Sequence, residues 1–149
     1  MIEHYDGTNW TTSFESNNAC LSTMTALEPI YVFAAGACGG ATAVEFFDGT
    51  NWTSQPGPST DPSTVISGIS ARSLTGVLAV GRIPATGQGF AMFFDGNAWT
   101  RIPVPNPNKD VRILNATAQV PHLTEFWTVG TAIPKFGMSR ALSVKPACT

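Results

Sequence analysis

One phrase is written three times along this chain: Tyr5-Asp6-Gly7-Thr8-Asn9-Trp10-Thr11, Phe47-Asp48-Gly49-Thr50-Asn51-Trp52-Thr53 and Phe94-Asp95-Gly96-Asn97-Ala98-Trp99-Thr100. The aspartates follow one another at intervals of 42 and 47 residues. Self-similarity at such a period means that one small unit is copied, and that each copy buries its apolar face against the next. The phrase also has a local cause. Asp-Gly tolerates the positive φ of a tight hairpin at little steric cost, and the flanking aromatic residues can pack across the two strands. Asp6, Asp48 and Asp95 are therefore read as turn-formers, and Trp10, Trp52 and Trp99 as packing residues between units.

A second landmark recurs at the same period. Val32-Phe33-Ala34-Ala35-Gly36, Val77-Leu78-Ala79-Val80-Gly81 and Phe126-Trp127-Thr128-Val129-Gly130 are short apolar runs, each closed by glycine. Runs of this length read as strands buried on both faces, because a helix needs more residues and a strand with one wet face would alternate. A small-residue strand lies upstream of each, at 21–27, 66–71 and 114–120, and alternating segments at 43–47 and 91–94 lead into the Asp-Gly phrase. Each unit thus reads as four strands a, b, c and d, with d beginning at the Trp. The period fits one four-stranded propeller blade and is too long for leucine-rich or ankyrin units.

The expected fold class is all-β, built of antiparallel four-stranded blades and β-propeller-like, with almost no helix. The chain divides as one repeat domain, 1–149: a partial blade of strands c and d at 1–19, blades at 20–62 and 63–108, and a partial blade at 109–149. That makes about three blades, whereas propellers close with four to eight. Such a chain is half of a ring or part of a larger propeller. A homo-oligomer is expected, either a dimer closing a ring or a larger assembly, with residues 1–14 pairing with the region 126–145. The expected core comprises Val32, Ala35, Val77, Val80, Phe126 and Val129 with the aromatics Phe46, Phe47, Phe93, Phe94, Trp10, Trp52, Trp99 and Trp127.

Charge narrows the partners. Only 12% of residues are charged and the net charge is −2 without runs, so there is no basic patch for nucleic acid or an anionic membrane. The longest apolar stretch, near 30–35, is far too short to cross a bilayer. The linkers 55–62 and 103–108 are proline-rich and cannot extend a central strand, since proline donates no ladder hydrogen bond.

Cys20 precedes the first full strand a and Cys38 follows strand b. A hairpin pivoting between Glu28 and Ile30 sets the two opposite each other, within disulfide range, and a bridge implies an oxidising compartment. Cys148 is then the odd thiol. Catalytic constellations are thin: two histidines, His4 and His122, stand apart, no Cys/His spacing suits zinc, and no nucleophile stands beside a base. Neither a metal nor any other cofactor is expected. Glu3 and Glu45 match in the repeat, but the third unit lacks the carboxylate.

The order of an apolar V-x-A-V-G strand, a spacer, Ile2-Glu3-His4-Tyr5-Asp6-Gly7-Thr8-Asn9-Trp10-Thr11 and a proline-rich linker resembles the tandem repeats of bacterial secreted or surface β-propeller proteins. Their units pair a W-A-V-G strand with an E-H-W-N-G-x-x-W hairpin, and Leu78-Ala79-Val80-Gly81 is the closest match to the first element. The chain resembles the Asp-box hairpin of sialidase-type propellers less closely, because Asp and Gly are adjacent here rather than two apart. The resemblance implies a fold and an extracellular or cell-surface location, and hardly any activity, since propellers host unrelated functions. The expected function is a non-enzymatic binding or assembly module. The alternatives are a carbohydrate-binding lectin, with Trp10 and Asn9, Trp52 and Asn51, and Trp99 and Asn97 forming equivalent pockets, and a fragment of a propeller glycoside hydrolase or lyase. A glycan or a surface protein would be the further partner.

Overall fold

The computed structural model describes residues 1–15, 20–28, 30–38, 41–58, 61, 63–106, 108–134 and 140–144. All regular structure among them is antiparallel β. The strands are β1 (Ile2–Tyr5), β2 (Trp10–Phe14), β3 (Leu21–Glu28), β4 (Tyr31–Cys38), β5 (Ala41–Phe47), β6 (Trp52–Pro56), β7 (Val65–Ser73), β8 (Gly76–Ile83), β9 (Gln88–Phe94), β10 (Trp99–Arg101), β11 (Val111–Gln119), β12 (Phe126–Ile133) and β13 (Arg140–Val144). They form a two-stranded sheet β1-β2, two four-stranded meanders β3-β4-β5-β6 and β7-β8-β9-β10, and a three-stranded sheet β11-β12-β13. The blade reading holds, and β2, β6 and β10 each begin at the repeated Trp.

The repeated glycine has a structural cause that its place in an apolar run does not reveal. In each of the three larger sheets the first strand carries a bulge at one repeat position, between Leu21 and Thr23, Ile66 and Gly68, and Leu114 and Ala116. Gly36, Gly81 and Gly130 pair with Leu21, Ile66 and Leu114 at that bulge. A Cβ on any of them would fall onto a backbone carbonyl oxygen, that of Cys20, Val65 or Ile113 respectively. The extra residue of a bulge bends its strand and increases the local twist. Glycine is thus required so that the second strand can lie close under the bend.

Consecutive sheets pack face to face through their first strands. Ser22 Oγ on β3 donates to the Ile66 carbonyl on β7 at 2.7 Å, and Gln119 N on β11 donates to Ser70 Oγ on β7 at 3.0 Å. The approach is close enough that a Cβ on Gly68 would stand 2.9 Å from Ala116 Cα. Phe33, Ala35, Ile66, Val77, Phe90 and Met92 fill the space between the two four-stranded sheets, while Leu78, Val80, Leu114 and Phe126 fill the next interface. Full burial of a side chain such as Phe90 contributes about 2–3 kcal/mol, so these interfaces dominate cohesion.

The expected core needs correction at both ends. Trp10 is 67% exposed, Trp127 49% and Val129 54%. Strand β8 is buried on both faces, but β12 alternates buried and exposed residues from Phe126 to Val129. The run Phe126-Trp127-Thr128-Val129 has the composition of a doubly covered strand and a neighbour on one side only. Val32, Phe46, Phe47, Phe93 and Trp52 are half-buried, whereas Ala35, Val77, Val80, Phe94, Trp99 and Phe126 are buried as expected.

Candidate functional site

The three Asp-Gly phrases build one turn three times. Each Asp Oδ1 accepts two backbone amides: Thr8 and Asn9 at 2.7 and 2.8 Å, Thr50 and Asn51 both at 2.8 Å, and Asn97 and Ala98 at 2.8 and 2.9 Å. The following glycines have φ near +100° (99°, 97° and 99°), while the aspartates themselves keep negative φ. The connection is therefore a four-residue loop organised by a carboxylate, not a two-residue turn with both central residues left-handed. Donation from the amides of Asn9 and Thr8 holds the Asp6 carboxyl below its usual 3.8, and the amides of Asn51 and Thr50, and of Ala98 and Asn97, do the same for Asp48 and Asp95. Asn9, Asn51 and Asn97 serve these loops through their backbone.

Above each turn the Trp meets its cross-strand aromatic partner. Tyr5–Trp10, Phe47–Trp52 and Phe94–Trp99 have ring centroids 5.1, 5.2 and 5.3 Å apart. What lies on the other side differs. Trp99 is 7% exposed and its Nε1 donates to Gln55 Oε1 at 2.9 Å. Trp52 Nε1 donates to Ser13 Oγ at 3.0 Å and its ring lies 5.5 Å from that of Phe14. Ser13 and Gln55 each stand seven residues after the Asp of their own unit, so each indole is hydrogen-bonded to the last strand of the preceding unit. This link was missed in the sequence, although the fixed offset from the aspartate was there to be read. Trp10 has no preceding unit to meet among the described residues. The six residues proposed for ligand contact thus do not form equivalent pockets, because Trp52 and Trp99 are engaged between sheets.

A cavity of about 500 Å³ separates β1-β2 from the sheet β3-β6, lined mainly by Ile2, His4, Met24, Val32, Phe47 and Trp52. Among the described residues β1 pairs only with β2. At the opposite end, the uncovered face of β11-β12 presents Trp127, Val129, Ile133 and Val111.

Within the hairpin β3-β4 the expected register, pairing residues whose numbers sum to 58, holds from Thr23↔Ala35 to Ala26↔Val32. The bulge then shifts it by one, so that Leu21 meets Gly36. Cys38 closes β4 instead of following it, pairing in register with Ala41. Its side chain lies outside the described residues, as does Cys148. His4 and His122 are exposed and on different elements. Among the described residues no three His, Cys, Asp or Glu side chains gather as a metal-binding group, and no helix is long and apolar enough to cross a membrane. Compared with protein-family models and with curated proteins, the chain matches none.

Proposed function

We propose that this chain is a non-enzymatic β-propeller module, secreted or displayed at a cell surface, that acts in binding or structural assembly with a second copy of itself as partner. The observation that carries this reading is the asymmetry of the stack. Every internal sheet presents a leading face, with the Trp and its aromatic partner, to the unit before it, and a trailing face, with alternate residues of strand b, to the unit after it. Tyr5 and Trp10 are a leading face that no described residue covers, and Trp127, Val129 and Ile133 are an exposed trailing face.

The two faces are complementary by repetition, since Phe33 and Ala35, the counterparts of Trp127 and Val129, are covered inside the chain by the next sheet. A contact of this kind is head-to-tail: it closes a ring if the rotation closes and otherwise gives an open stack. The resemblance to bacterial surface propeller repeats supports the extracellular setting, and a Cys20–Cys38 bridge across the first two strands of one sheet belongs to the same reading. Light scattering coupled to gel filtration tests the assembly. A mass at least twice the 15.7 kDa of one chain, reduced to one chain by Trp127→Asp, is expected. A monomer at 100-fold dilution and at high concentration alike would end the proposal.

A further inference from the structure

The repeat provides its own control for finding residues that the fold does not need. The turn aspartates and the strand glycines recur in type because the fold needs them. Where one unit departs from its siblings in chemistry, and the departures converge in space, another demand is acting. Such a convergence occurs at the junction between the sheet β7-β10 and the sheet β11-β13. There the linker after β10 wraps an open cavity of about 630 Å³, lined by Thr86, Gln88, Arg101, Val104, Asn106 and Lys109, and also by the carboxylate-bearing Asp110.

Three cations meet at or beside this cavity. Arg101 lies with its guanidinium carbon 5.5 Å above the Phe90 ring, and the charge of Asp61 on the preceding linker also reaches it. Lys109 takes a left-handed φ of 54°, a conformation that costs a non-glycine residue energy and is retained where surrounding contacts enforce it. Arg112 is 8% exposed, and its Nε donates to Asn106 Oδ1 at 3.0 Å. Asn106 in turn clasps Asp110 through its Nδ2 to the carbonyl (2.7 Å) and through Oδ1 from the amide (3.1 Å). Among the described residues none of the buried polar atoms of Arg112 is left without a partner.

At the previous junction Arg101 matches Ser54 when counted from the turn aspartate, and Arg112 matches Thr64 when counted from the bulged strand. Thr64 is as buried as Arg112, at 5% exposed. The fold is therefore satisfied by a small neutral side chain where this junction places a guanidinium.

We infer that this junction is a binding site for an acidic saccharide, whose carboxylate or sulfate oxyanion is held by Arg101 and Lys109 with Arg112 supplying positive potential from behind Asn106. The volume lies in the range of small-ligand pockets and accommodates one or two sugar rings. Thr86, Gln88 and Asp110 offer donors and acceptors for hydroxyl groups, and Val104 offers an apolar flank. Planar, forked guanidinium groups suit oxyanions particularly well. This inference is independent of the assembly proposal, because none of its residues lies on the uncovered end faces.

Calorimetric titration of the full chain at low salt tests it, with digalacturonate, a sulfated disaccharide, a neutral disaccharide of the same size and sodium sulfate as probes. At least one charged sugar should bind at least tenfold more tightly than both the neutral sugar and sulfate, and the difference between the two charged arms identifies the oxyanion. Arg101→Gln and Lys109→Gln should each weaken it at least fivefold, and Arg112→Thr, which installs the sibling residue, should weaken it while keeping the melting transition. Arg72→Gln, remote from the cavity and bonded to the Thr124 carbonyl, should leave binding unchanged. Equal binding of neutral and charged sugars, no binding of any sugar, charged sugars no better than sulfate, or indifference to Arg101→Gln and Lys109→Gln in folded protein would each overturn it.

Discussion

The hairpin β1-β2 and the sheet β7-β10 carry the same phrase and end in different physical states. Tyr5 and Trp10 stand in water, while Phe94 and Trp99, their counterparts, are buried. Glu3 is exposed, and Met92 at the same repeat position is fully buried; between them, Glu45 in the sheet β3-β6 is buried although it is a carboxylate. The turn below is identical in all three, down to the paired amide bonds on the aspartate. The turn is a local solution closed within four residues, whereas burial of the Trp belongs to the preceding unit.

The comparison can be broken by mutation. Trp99→Ala should cost about 3–5 kcal/mol, since it removes a buried indole and strands Gln55, and chemical denaturation would measure it. Gly81→Ala should cost about 2–3 kcal/mol by forcing Cβ onto the Val65 carbonyl and opening the bulge, with a smaller loss expected for Gly130→Ala, whose sheet is free to shift on its uncovered side. If Gly81→Ala melts like the parent chain, the bulge is not a requirement. Trp52→Ala, half-buried against Phe14, should cost less than either, at about 1–2 kcal/mol. Trp10→Ala should change monomer stability by less than about 0.5 kcal/mol while weakening self-association. A large loss in the monomer would mean that Trp10 is covered in solution by the chain itself.

The smallest effect concerns the turns. The carboxyls of Asp6, Asp48 and Asp95 are held below their usual 3.8 by backbone amides in the folded chain. Their contribution is thus fully present above that unfolded value and is lost as pH falls through the lower folded values. A shallow drop in melting temperature below pH 4 should flatten in Asp48→Asn, and an unchanged slope would show that the amide bonds carry no net stability. Solvent exposure of all three carboxyls keeps this effect slight.

Strand order, blade period, the strands starting at Trp10, Trp52 and Trp99, and the Asp-Gly turns were legible in the sequence because each rests on contacts within a few residues or on strict repetition. Even the hairpin register of β3-β4 could be read as far as its bulge. The candidate ligand residues were less legible. A repeated Trp and Asn suggested repeated pockets, but the indole hydrogen bonds to Ser13 and Gln55 cross between units. Spacing along the chain does not show that a proline-rich linker folds Arg101 and Lys109 onto one cavity.

Sequence alone therefore determined what each unit is: a meander of four short strands, turned by a carboxylate, with an apolar second strand that carries its glycine. Local sterics and the two-residue period of strands decide those features before any neighbour arrives. Tertiary structure alone decided which copies of the same residue are buried, why the glycine is needed and where charge converges. Burial and field are properties of what lies on the far side of a sheet, and identical phrases have different far sides.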